Sequence, residues 1–121
     1  MPNSKQYPAI VTSDLSATIA SSESLSDVID LSGTTLSGYV MPASWTAADI
    51  TFSVSADGTN FNDLYDQFGN EVNHTVDASR FIALLPSDFA GIRYLKIRSG
   101  TSGTPVNQGA ERVITLVARA V

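Results

Sequence analysis

Residues 50–56, ITFSVSA, alternate without a break between apolar and hydroxyl-bearing side chains. In an extended strand, successive side chains point to opposite faces. Ile50, Phe52, Val54 and Ala56 therefore face one way, and Thr51, Ser53 and Ser55 the other. This predicts a sheet with one dry face and one wet face. The dry face needs a second layer to cover it. No window holds the i, i+3, i+4, i+7 apolar spacing for three turns, so long helices are not expected.

The rest of the chain repeats short β-like runs between Gly, Pro, Asp, Asn and Ser clusters. Residues 17–20 form a short first strand. Residues 26–31 (SDVIDL) set Ile29 and Leu31 on one face with Leu25 and Asp27, and Gly33 turns the chain. Residues 35–41 (TLSGYVM) follow and stop at Pro42. Residues 44–49 (SWTAAD) connect, with one helical turn capped by Ser44 as a candidate. Asp57-Gly58 then stands between two β-runs, which is the signal for a hairpin through a type I′ turn. Residues 71–76 alternate Val72, His74 and Val76, and residues 80–85 (RFIALL) are almost continuously apolar up to Pro86. Residues 92–98 place Leu95 and Ile97 inward and Tyr94, Lys96 and Arg98 outward. Residues 111–121 place Ile114, Leu116 and Ala118 on one side. About eight short strands at roughly ten-residue spacing predict an all-β, two-sheet antiparallel sandwich. The domain is expected over residues 17–121, preceded by a polar arm over residues 1–16.

At 121 residues the chain fits one domain. A chain of this size buries about two-thirds of its unfolded surface, enough for a core without staples. It contains no cysteine, so neither a disulfide framework nor a thiolate metal site can form. Residues 1–10 lack the pattern of a secretory leader, and no apolar run is long enough to span a bilayer. The expectation is a protein made in the cytosol, unprocessed and not membrane-spanning. Seven basic residues face twelve acidic ones, for a net charge of −5. That balance argues against nucleic acid and anionic membranes as partners. Charged residues make up 16% of the chain, below the usual quarter, while Ser and Thr make up roughly a fifth. A hydroxyl-rich surface is cheaper to desolvate than a charged one, which suits packing against other proteins.

Candidate chemistry is sparse. His74 is the single histidine, so any histidine-based triad or metal ligand would be built on it. Its place between two valines predicts a packed ring hydrogen-bonded to a neighbour. Asp57, Asp63, Asp66 and Glu71, with Asn60, Asn62 and Asn70, offer oxygen ligands for calcium, but the spacing of a calcium loop is missing. Turn chemistry and loop solvation explain them instead. No carboxylate pair is marked out for glycoside hydrolysis. Trp45, Tyr39, Tyr65 and Tyr94 could stack on sugars, although Trp45 is better placed to cover one end of the core. Arg93 should lie on the opposite face from Lys96 and Arg98, so the three form no single anion site. Solvated faces, or pairing with Asp and Glu on the next strand, are expected instead. Asn73-His74-Thr75 is read as a chance match to a glycosylation site. Residues 99–109 (SGTSGTPVNQG) form a long loop of small polar residues and are read as a partner contact. No catalytic residue, cofactor or metal is expected.

The pieces MPASWTAADITF, SADGTNF and FAGIRYLKIRSGT resemble a family of small virion proteins of tailed bacteriophages and prophages, and the resemblance runs from about residue 17 to 119. The Ser-x-Asp-Gly-x-x-Phe turn, followed by an Arg-Tyr-hydrophobic-basic strand, is also similar to discoidin-type jelly-roll modules. This chain is shorter than those, lacks their paired terminal cysteines and has no aromatic-rich binding spikes, so that second comparison extends to the fold alone. The resemblance implies a jelly-roll-like sandwich that decorates or cements the capsid surface as a homo-oligomer. Its partners would be the major capsid protein or other virion proteins. Contacts are expected from Pro2, Lys5, Tyr7, Trp45, Thr101, Thr104, Pro105 and Asn107. The alternative is a carbohydrate-binding module on a tail or fibre, carried by Trp45.

Overall fold

The computed structural model describes residues 15–120. Almost all of the expected arm lies outside the described residues. Its last residue, Ser16, already belongs to the first strand. Eight strands follow in order: β1 (Ser16–Ile19), β2 (Ile29–Asp30), β3 (Thr34–Val40), β4 (Ile50–Ser55), β5 (Asn62–Asp63), β6 (Phe81–Ala83), β7 (Tyr94–Ser99) and β8 (Arg112–Ala120). A single 3-10 turn, Pro86–Asp88, precedes β7. No helix among the described residues is long and apolar enough to cross a membrane.

The strands form two four-stranded antiparallel sheets, ordered β1-β8-β3-β6 and β2-β7-β4-β5. Strand β1 pairs with β8, β2 with β7, β3 with β6 and β4 with β5. These four nested pairs are one long antiparallel ribbon rolled up on itself, the strand order of a jelly roll. The expected all-β sandwich is therefore what the chain forms.

Alternation places the core. Ala17 and Ile19 from β1, Ile114 and Leu116 from β8, and Leu36 and Tyr39 from β3 are buried on the inner face of the first sheet. Phe52 from β4 and Leu95 and Ile97 from β7 meet them from the second. Ser37 is an extra residue in β3, where the register against β8 shifts between Leu36 and Gly38. Without that bulge, Leu36 and Tyr39 could not both point inward, because they are an odd number of positions apart.

Several sequence expectations change. The turn after β4 is not a two-residue type I′ hairpin, because β5 begins only at Asn62. Gly58 has φ +83°, but Asp57 is not left-handed. Asp57 instead closes a longer turn with its carboxylate, which accepts from the Thr59 and Asn60 backbone N–H groups at 2.8 Å each. Residues 71–76 make isolated bridges, Tyr65 to Glu71 and Ile50 to His74, rather than a strand. Residues 26–31 shrink to the two-residue β2, and residues 44–49 contain no helical turn. Ala56 lies past the end of β4 and is exposed.

The core predicts its own sensitivity. Phe52→Ala removes a fully buried ring and should cost about 3–5 kcal/mol. Chemical denaturation should show a large fall in the unfolding midpoint.

Candidate interaction face

The register assigns every outward side chain. On the second sheet, Thr51, Ser53 and Ser55 of β4 stand opposite Arg98, Lys96 and Tyr94 of β7. Asp63 of β5 and Asp30 of β2 flank them. This face is charged and paired within itself. Arg98 donates to Asp63 at 2.6 Å and to Glu71 at 3.4 Å, and its side chain is only 11% exposed. Arg93 pairs with Asp30 at 3.2 Å, and its guanidinium also lies over the Tyr94 ring. Lys96 Nζ sits 4.4 Å from the centre of the Phe61 ring. Arg98 also donates to the Thr51 hydroxyl, and the Ser55 hydroxyl is held in the following turn, donating to Asp57 Oδ1 at 2.9 Å. Thr51, Ser53 and Ser55, expected on a wet face, are buried. Arg93 and Arg98 pair with acids, whereas Lys96 makes no ion pair among the described residues; Arg93, expected on the opposite face, joins this one through Asp30 and Tyr94.

The outer face of the first sheet is different. Thr18 of β1 stands opposite Val113 of β8. Thr115 and Val117 of β8 stand opposite Val40 and Gly38 of β3. Phe81 of β6 lies opposite Val40. Gly38 is needed because the Phe81 ring covers it: a Cβ there would come within 2.7 Å of the ring. Arg119, opposite Thr35, is the one charged side chain that the registered pairs place on this face among the described residues. Val40, Phe81 and Val113 are exposed. The result is an outer face of methyl groups and threonine hydroxyls, with Thr115 and Val117 half-buried.

The expected contact residues fall at one end of the sandwich or outside the described chain. Pro2, Lys5 and Tyr7 lie outside the described residues. Trp45 is half-buried against the core, and its indole N–H donates to the Ala48 carbonyl at 3.0 Å. Thr104, Pro105 and Asn107 are exposed, and Thr101 is half-buried. The 99–109 loop is pinned by Gln108, which sequence reasoning passed over. The fully buried Gln108 amide donates to Ser99 Oγ at 2.7 Å and to the Thr46 carbonyl at 3.0 Å. Its Oε1 accepts from the Thr46 N–H at 2.8 Å and from Arg112 Nε at 3.0 Å. A polar residue in a polar loop gives no periodic signal, so nothing in the sequence marked it.

His74 has the packed setting expected for it. Its Nδ1 lies 2.7 Å from Tyr39 Oη, and its ring stacks on Tyr39 and meets Phe52 edge-on. Burial lowers its pKa from the ordinary 6.5, against the pull of the nearby Asp88 carboxylate. Burial also raises the Tyr39 phenol. The acidic residues are divided among separate tasks. Asp57 is held well below the usual carboxylate range by the backbone N–H groups of Asn60 and Thr59 and by the side chains of Asn60 and Ser55. Asp66 Oδ1 accepts from the Phe68 and Asn70 N–H groups. Glu71 pairs with Arg98 and caps the Ser102 N–H. Among the described residues, no three His, Asp or Glu side chains are grouped to hold a metal ion.

Comparison with protein-family models gives no match, and comparison with curated proteins gives none.

The depressed His74 pKa has a defined sign. Its stabilising contribution is complete above the unfolded-state value near 6.5 and is lost as pH falls through the lower folded value. His74→Gln should flatten the fall in thermal stability as pH drops below about 6.5, relative to the parent protein. Parallel melting curves for the two proteins across that window would contradict the assignment.

Proposed function

We propose that the protein is a virion structural protein of a tailed bacteriophage, a decoration or cement protein that attaches to the head shell through the outer face of the first sheet. The observation that carries this reading is the contrast between the two outer faces. One has its arginines paired with acids and its strand hydroxyls buried. The other offers Val40, Phe81, Val113, Thr115 and Val117 with little charge to desolvate. Burying methyl and hydroxyl groups against a partner costs far less than stripping water from lysines or carboxylates. The sequence resemblance to small phage virion proteins supports the same reading, with the major capsid protein as partner. A single contact of this kind is weak, but several copies linked in one oligomer bind through effective concentration.

The carbohydrate-module alternative depended on an exposed Trp45. Its ring is instead half-buried and its N–H is already satisfied.

The test places charge in the middle of the face. The double substitution Val113→Lys with Thr115→Lys should lower capsid occupancy at least about tenfold, equivalent to roughly 1.4 kcal/mol. Melting temperature should change little, since both side chains point outward. Ser53→Ala on the opposite sheet should leave occupancy unaltered. Full occupancy by the double variant would remove the reading.

A further inference from the structure

The first sheet is covered at its β1 edge and open along β6. At the β1 edge, the Asp27 N–H donates to the Thr18 carbonyl at 3.1 Å, and Asp27 Oδ1 accepts from the Thr18 N–H at 2.9 Å. Beyond β4 and β5, His74 and Ile50 exchange two backbone bonds of 2.9 Å, and Val72 donates to Leu64 at 3.0 Å. Strand β6 pairs with β3 on one side only. The Met41 N–H donates to the Arg80 carbonyl, and the next bonded pair in an antiparallel ladder is Tyr39 with Ile82. Phe81 and Ala83 therefore turn their N–H and C=O groups away from β3. Among the described residues, neither has a backbone partner on that side.

A groove follows this free edge. One part, of about 300 Å³, lies between residues 83–85 and the segment carrying Asp66, Asn73 and His74. It shares Asp66, Val72, Leu85 and Asp88 with a second part of about 400 Å³, rimmed by Tyr65 and Phe68. Phe68 is 79% exposed, Leu85 66% and Phe81 59%. The lining carries Asp66, Glu71 and Asp88, and no Lys or Arg. Glu71 is already paired with Arg98. Asp66 and Asp88 leave the groove acidic.

We propose that residues 9–12 of a second copy of this chain add to β6 as an extra strand, with Lys5 of that copy entering the acidic groove. The run Ala9-Ile10-Val11-Thr12 is β-prone and apolar. Lys5 is the one charged side chain in residues 1–13, and its sign is opposite to that of the groove. Pro8 cannot donate to a ladder and so limits the added strand on one side. The fourteen residues before Leu15 reach up to about 46 Å when extended. They leave from β1, the opposite edge of the same sheet from β6. To reach its own β6, the arm would cross the apolar outer face with its backbone groups unpaired. On a neighbouring copy it pairs at once, the strand-addition mode of recognition. Each copy gives an arm and receives one, so the exchange is either reciprocal in a two-fold dimer or passed head to tail from copy to copy. This inference stands apart from shell binding, since it concerns the protein in solution without capsids.

The absence of cysteine makes the test clean. Ile10→Cys, Val11→Cys and Thr12→Cys are each combined with Ala83→Cys in the full chain and oxidised. At least one pair should give disulfide-linked dimers and higher species on a non-reducing gel, with none from the single-cysteine parents beyond background. A disulfide confined to the monomer would place the arm on its own β6, and no disulfide in any pair would place it elsewhere. Either result overturns the proposal. In parallel, Ala83→Pro removes an outward N–H that β3 does not use, so circular dichroism and melting should match the parent. Sedimentation should show association weakened at least about tenfold. Lys5→Glu should weaken association further at low salt than at high salt. Sedimentation unaltered by Ala83→Pro would also overturn the proposal.

Discussion

Phe52 reaches across the interior from β4 to meet Tyr39 of β3 and Phe89 beyond the 3-10 turn. The ring centres are 6.4 Å and 5.0 Å apart, with interplanar angles of 70° and 85°. His74 joins the cluster 5.1 Å from Phe52. Edge-to-face pairs of this kind add about 0.5–1.5 kcal/mol beyond the area they bury. They also join four stretches of chain that are distant in sequence. Rings placed between the sheets decide which way β3 and β4 face. Once Tyr39 and Phe52 point inward, alternation fixes the outward set on each sheet. The nested pairing of first strand with last is expensive in loop closure, so this core also marks a fold dominated by non-local contacts.

The two outer faces then follow from what alternation leaves outside. On the second sheet it leaves Arg98, Lys96 and Tyr94 beside Thr51, Ser53 and Ser55. Arg98 Nη1 donates to Thr51 Oγ1 at 3.2 Å, and that hydroxyl donates onward to the Gly100 carbonyl at 2.7 Å. A partner docking here would have to break or bury bonds already made, with the desolvation cost that accompanies buried ion pairs. On the first sheet alternation leaves valines, threonines and a phenylalanine folded over Gly38. Nothing there must be broken before contact. The hydroxyl-rich composition is thus divided unequally in use: one sheet consumes its hydroxyls in internal bonds, and the other keeps them for the surface.

Much of the fold was legible because strands β4, β7 and β8 alternate clearly. Leu95 and Ile97, and Ile114, Leu116 and Ala118, are buried as the pattern required. Alternation reports which side a residue faces, not whether that side is wet. Thr51, Ser53 and Ser55 were placed on the correct face, but they are buried there, Thr51 beneath Arg98 of a strand more than forty residues away and Ser55 within the turn that follows it. The Asp57-Gly58 pair marked a turn correctly. It could not reveal that Ser55 and Asn60 would lengthen the turn around the Asp57 carboxylate, with Asn60 Nδ2 donating to Oδ2 at 2.8 Å. Residues 80–85 are almost continuously apolar, yet Phe81 and Leu85 are exposed at an edge. Edge position is a property of topology, and no local window contains it. Gln108 was invisible for a related reason, since its partners Thr46 and Ser99 converge only after both sheets have closed.

The treatment of edges links the fold to its use. A bare strand edge with apolar neighbours invites uncontrolled pairing, and natural sheets shorten, charge or cover such edges. This chain covers the β1 edge with Asp27 and the β5 side with residues 64–74. It shortens β6 to three residues but adds neither an inward charge nor a proline along it. The carboxylates of Asp66 and Asp88 line the adjoining groove rather than the edge itself. They repel acidic chains, in a protein whose own net charge is negative, while leaving a basic segment free to approach. In the arm exchange proposed above, an edge guarded in that manner would favour the basic arm over acidic chains, so that charge adds specificity to a contact whose affinity comes from backbone pairing.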